Sequence, residues 1–161
     1  PDRTFFIPDE ALATFRAANP DARFQLIADE EADFTEANLD LAIRLVEGPG
    51  ELEGLQLAPG ARVTVAAPGS ESGWIGWPAF PAPQGEDVLL QVGNAGQALS
   101  SALAGLGRTT MPLPLVADAL ADGRLVALDG PDECRHAYWL LAPRPQWRQK
   151  KVKALIAHLV D

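Results

Sequence analysis

The sequence predicts an α/β layered domain, and three observations predict it. Short apolar runs recur near 88–92, 108–112 and 124–128, each the length of a buried strand rather than a helix. Between them lie two stretches of helical periodicity. The first puts Ala95, Ala98, Leu99, Ala102, Leu103 and Leu106 on one stripe, and the second does so with Leu113, Val116, Ala117 and Leu120. Glycine or proline marks each change of period, at Gly93, Gly107, Pro114 and Gly123. Strands that alternate with helices imply parallel crossover units packed in layers.

The local chemistry of this stretch is consistent with that reading. Asn94 follows the break at Gly93, and its side-chain oxygen can accept from an N–H that the first helical turn leaves unpaired. Gly107 is expected in the left-handed C-terminal cap. Pro114 fits the first turn of the second helix, where its missing N–H is no loss.

Upstream, a helix is predicted from about Pro8 to Ala18, with Asp9 and Glu10 at the positive end of its dipole and Asn19-Pro20 as its stop. Strands are predicted at Arg23–Ala28, Leu39–Val46 and Arg62–Ala67, and a short helix at Glu30–Ala37. The segment 47–60 holds four glycines and two prolines and reads as a surface loop. A short aromatic strand spans Trp74–Trp77, before a proline-rich run to Pro83. Downstream, Asp129–Glu133 reads as a turn around Gly130-Pro131, Ala137–Ala142 as an apolar strand, and Gln146–Val160 as the last helix.

Composition narrows the function. Thirteen basic residues against twenty-two acidic give a net charge of −9, the wrong sign for a chain that itself grips nucleic acid. The exception is a basic cluster from Arg144 to Lys153. No apolar run is long enough to span a bilayer, and no secretory leader opens the sequence. A single cysteine, Cys134, permits no internal disulfide and fits a reducing compartment. No catalytic constellation stands out. His136 and His158 fall on different elements, the serines lack a nucleophile-elbow pattern, and no residues have metal-ligand spacing beyond Cys134 and His136. No enzyme activity, cofactor or metal is expected.

Three segments carry a family resemblance. ALSSALAGLG (98–107) followed by PLPLVADALADGRLV (112–126), FRAANPDARFQL (15–26) and ANLDLAIRL (37–45) stand in the order and register of the effector-binding domain of LysR-type transcriptional regulators. Asn38 stands where that family usually has Gly. The resemblance implies a type 2 periplasmic-binding-protein-like fold, two α/β lobes joined by two crossover strands with a ligand cleft between them. It implies lobe I at 1–65 plus 140–161 and lobe II at 66–139, with Arg62–Ala67 and Ala137–Ala142 as the crossovers. It further implies a cytoplasmic sensor of a small-molecule effector that forms a homodimer through the Pro8–Ala18 helix and its neighbouring strand, and higher oligomers in the full-length regulator. DNA would be bound only through a separate N-terminal winged helix-turn-helix, which 1–161 does not encode. A transport solute-binding protein of the same fold is the rival reading.

Candidate effector contacts follow. Trp77, Pro78 and Phe80 are either core packing or an apolar cleft wall, the latter because the resemblance turns this loop toward the effector. Arg108 and Thr110 would share one face of a strand that is usually apolar, and a ligand could partner them. Asn94 and Gln97 stand at a helix N-terminus beyond a strand's C-terminal end, where an anion is favoured. The resemblance adds Arg3, Thr4 and Asp29 as contact positions. These donors favour a small organic acid or amino acid as effector.

Overall fold

The computed structural model describes Ala17 and Ala18, both helical, and residues 41–160. The expected strand Arg23–Ala28, the short helix Glu30–Ala37, most of the Pro8–Ala18 helix, and Arg3, Thr4 and Asp29 lie outside the described residues.

Two groups of strands organise the rest. In the first, β8 (Ala137–Ala142) lies between β1 (Ala42–Val46) and β2 (Glu53–Gln56), antiparallel to both. A strand flanked on both edges is buried, and AYWLLA has the continuous apolar character that this position needs. β2 corrects the expectation of a loop over 47–60. Its GELEG setting hides it, because its one large apolar residue is Leu55. Gly54 is required there, since a Cβ would lie 2.8 Å from the Pro49 side chain and 2.9 Å from that of Leu141.

In the second group, β3 (Ala61–Ala66) runs antiparallel between β6 (Thr109–Pro112) and β7 (Val126–Glu133). β4 (Trp74–Gly76) pairs in parallel with β5 (Val88–Gln91) and bridges in parallel to Arg108 at the entrance of β6. Ile75 N–H donates to the Arg108 carbonyl at 2.8 Å, and Arg108 N–H to that of Gly73 at 3.0 Å. Laid out across the sheet, the strands read β5, β4, β6, β3, β7. The predicted crossover units are therefore present, each stepping over one strand. α1 (Ala95–Leu103) carries the chain from β5 to β6, and α2 (Leu113–Ala121) from β6 to β7.

The core follows the predicted stripes except at Leu106, which lies beyond the end of α1, and Ala117, both of which are exposed. Ala95, Ala98 and Ala102 of α1 and Val116 and Ala119 of α2 are buried against Val63, Val65, Ile75, Met111 and Leu125. Alanine along α1 lets that helix sit close to the sheet. Gly105, with φ 84°, follows the α1 C-cap Ala104, so it takes the left-handed position expected of Gly107. Gly107 is needed for a different reason, since a Cβ there would meet the Gly73 carbonyl at 3.0 Å, where β4 and β6 start side by side. α2 ends in a compact Asp-Gly-Arg turn. Gly123 has φ 83°, and the Asp122 carboxylate accepts from the Arg124 N–H and guanidinium. The Arg124 backbone N–H, more than its charge, holds the Asp122 carboxyl below its ordinary value.

Two further expectations change. Gly130-Pro131 does not end β7; it forms a bulge within it, with Arg62 facing Asp132 and Thr64 facing Asp129. Among the described residues β7 is an outer strand, where proline and bulges are tolerated. The last helix is two: α3 (Arg144–Trp147) and α4 (Lys150–Val160). The chain passes between the two strand groups twice, at 57–60 and at 134–136.

Candidate functional site

β4, β5 and β6 are parallel to one another and opposed to β3, so their C-terminal ends lie where the chain arrives from the first strand group. Arg62, the second residue of β3, pairs with Pro112, the last of β6. Ligands of α/β sheets bind beyond strand C-termini. The segments leaving β4 and β5 here are Trp77–Phe80 and Gly93–Asn94.

Trp77–Phe80 is a closed turn, with N–H to carbonyl bonds in both directions between Trp77 and Phe80 at 3.3 and 3.0 Å. Its tip exposes Pro78. Trp77 is fully buried, and its indole Nε1–H donates to the Thr110 carbonyl at 2.9 Å. Trp77 thus belongs to the core, the first of the two readings that its sequence allows. Phe80 is wedged edge-on between Trp77, at 5.5 Å between ring centres, and His136, at 6.4 Å. Of the three, Pro78 is the one exposed to solvent.

Asn94 caps α1. Its Oδ1 accepts from Gln97 N–H at 2.9 Å, and the Gln97 Oε1 accepts from Gly93 N–H at 2.8 Å. Both side-chain oxygens are thereby committed to the backbone. Their amide NH₂ groups have no hydrogen-bond partner among the described residues and are the donors this turn can offer.

Arg108 does not join them. It lies level with Trp74, at the end of the sheet where β4 and β6 begin, while Val92 N–H, just past the end of β5, bonds the carbonyl of Gly76, the last residue of β4. About four strand residues, roughly 13 Å at 3.3 Å each, separate the two levels. The Arg108 guanidinium lies 5.5 Å from the Trp74 ring centre, and its Nε donates to the Glu71 carbonyl at 2.7 Å. The protein itself therefore supplies an acceptor for Nε and an aromatic face for the guanidinium. Thr110 likewise finds a partner on the neighbouring strand, its hydroxyl 2.9 Å from that of Thr64.

The close approach at Gly60 had no signal in the sequence. A Cβ on Gly60 would lie 2.1 Å from the Cys134 carbonyl oxygen and 2.8 Å from that of His136. Glycine in a Pro-Gly pair reads as a turn residue, and nothing local to it announces a close crossing of two strands. Among the described residues, no three His, Cys, Asp or Glu side chains are grouped to hold a metal ion, and no helix is long and apolar enough to cross a membrane.

Paired α/β strand groups, two chain passages and strand C-termini turned toward them define a periplasmic-binding-protein-like domain of type 2. Residues 81–161 match the LysR substrate binding domain, and the chain belongs to that family. The effector domain of the transcriptional regulator AmpR of Pseudomonas aeruginosa is similar over 98% of this chain and 89% of its own, with TM-score 0.78 and 18% identity. A Citrobacter freundii effector binding domain carrying three substitutions matches at TM-score 0.79 and 14% identity, over 94% of this chain and 89% of its own. The regulatory domain of CrgA, a LysR-type transcriptional regulator from Neisseria meningitidis, matches at TM-score 0.78 and 16% identity, over 98% and 92%. At these identities the likeness is one of fold. No curated protein sequence matches the chain.

Proposed function

We propose that this domain senses a small organic acid or amino acid on behalf of a transcription regulator, without chemistry of its own. The observation that carries the reading is the convergence of the exposed Pro78 turn and the Asn94-capped start of α1 on the end of the sheet that faces the chain passages. The amide groups of Asn94 and Gln97, with the positive end of the helix dipole, suit a carboxylate. Binding there signals to the extent that the ligand prefers one arrangement of the lobes over another. The same proposal divides the lobes at the passages 57–60 and 134–136, a few residues before the limits read from the sequence. DNA recognition belongs to a separate module of a cytoplasmic regulator. Most of the Pro8–Ala18 helix expected at the homodimer contact lies outside the described residues, and the contact proposed here is β5, an outer strand among the described residues.

A thermal-shift screen of organic acids and amino acids tests this. A ligand at 100 times its dissociation constant stabilises by roughly 2.7 kcal/mol, or a few degrees in a domain of this size. Stabilisation by carboxylates is expected. Stabilisation by cations or neutral sugars alone would refute the ligand class.

A further inference from the structure

Between the two strand groups the structure narrows to one crossing. The β2–β8 ladder ends at Gln56 and Trp139, extended by Leu57 N–H to the Tyr138 carbonyl at 2.9 Å. The β3–β7 ladder begins at Ala61 and Glu133. Between them, among the described residues, the passages share a single backbone bond, Cys134 N–H to the Gly60 carbonyl at 3.1 Å. The strands approach so closely there that the position of a Gly60 Cβ is taken by backbone carbonyls. Two residues beyond Cys134, the His136 ring meets Phe80, which closes the Pro78 turn and packs on the buried Trp77.

We propose that Phe80 and His136 are positioning residues: their ring contact ties the Pro78 turn to the Gly60–Cys134 crossing, so that a displacement of the turn is transmitted to the joint between the strand groups. The physical warrant is continuity of packed groups. Trp77 is fixed by its bond to Thr110, Phe80 is nine-tenths buried, and His136 shares the strand segment whose carbonyl abuts Gly60. A turn held this way cannot move Pro78 without either carrying His136 along or parting the two rings. This rests on the sensing role proposed above, but its test needs no effector.

The test is residue-resolved amide hydrogen exchange on the 161-residue chain. In both His136→Ala and Phe80→Leu, the Cys134 amide should exchange faster, by roughly two- to tenfold, the range an edge-on aromatic contact supports. Amides of the β3–β6 ladder, such as Val65, should keep their wild-type rates. The double variant should show no more than the single effect, because both changes break one contact. His136→Phe, which keeps a ring, should restore the wild-type rate. A mere local loosening by His136→Ala would leave Phe80→Leu, 56 residues away in sequence, without effect on Cys134. That result, additive effects, or failure of His136→Phe to restore protection would each overturn the proposal. Failure of the effector screen with this coupling intact would instead overturn the sensing role.

Discussion

Asn94 and Gln97 cap α1 reciprocally, the Asn94 carboxamide oxygen 2.9 Å from the Gln97 N–H and the Gln97 oxygen 2.8 Å from the Gly93 N–H. The pair holds the helix start in shape at the place where a ligand is proposed. Asn94→Ala should therefore cost about 1 kcal/mol of stability, the usual loss for an N-cap. Asn94→Asp keeps the capping oxygen but replaces the NH₂ donor by charge. It should hold stability within a few tenths of a kcal/mol while weakening carboxylate binding. Chemical denaturation and ligand-induced melting shifts, measured on both variants, separate the two roles.

Arg108 should behave as a structural residue. Arg108→Ala removes the Trp74 contact and the bond to the Glu71 carbonyl, together about 1–2 kcal/mol for a partly exposed group. A carboxylate that stabilises the wild type should raise the melting point of Arg108→Ala by the same increment. Loss of that increment would return Arg108 to the binding site.

Legibility differed between the fold and the site for a physical reason. α1, β6, α2 and the Asp-Gly-Arg turn are specified by signals within a few residues of each other: a capping side chain, a 3.6-residue stripe, a glycine at positive φ. β2 is specified by its partner. Glu53–Gln56 has little apolar character, and it is a strand because β8 offers an edge to it. The same holds for Gly130-Pro131, which is turn-like in isolation and a bulge in β7 because β3 holds both flanks. At the site, Arg108 looked available because its partners, Trp74 and Glu71, are distant in sequence. The Gly60 crossing depends on a backbone approach from residues 134 and 136, and a sequence gives no sign of it.

Thr109 is fully buried, on the side of β6 that faces the helices with Met111. Its Oγ1 has no hydrogen-bond partner among the described residues. Its neighbour Thr110 satisfies its hydroxyl on Thr64 across the strand pair. Thr109→Val conserves shape and deletes the unpaired hydroxyl, so it should stabilise the domain by about 1 kcal/mol. Thr110→Val should instead destabilise by a similar amount, because it leaves the nearly buried Thr64 hydroxyl without its partner. Opposite signs for adjacent threonines, read from urea midpoints at constant m-value, are the expected outcome.

Among the described residues β5 is an outer strand, and this edge carries the dimer prediction. Val88, Leu89 and Leu106 are the large apolar side chains left exposed among the described residues, at 40%, 54% and 51%. Leu89 lies over Gly73, and Gly73 abuts Gly107, the residue after Leu106. An apolar outer strand with unpaired backbone groups invites association unless a partner covers it. A second copy would bury Leu89 and satisfy part of that edge. Leu89→Lys places a charge in the middle of the contact while leaving the buried face of β5 untouched. Sedimentation equilibrium should show wild-type dimer and Leu89→Lys monomer at the same micromolar concentration, with unchanged melting cooperativity in the monomer. A Leu89→Lys chain that remains dimeric would move the interface elsewhere on the surface and leave the exposed leucines unexplained.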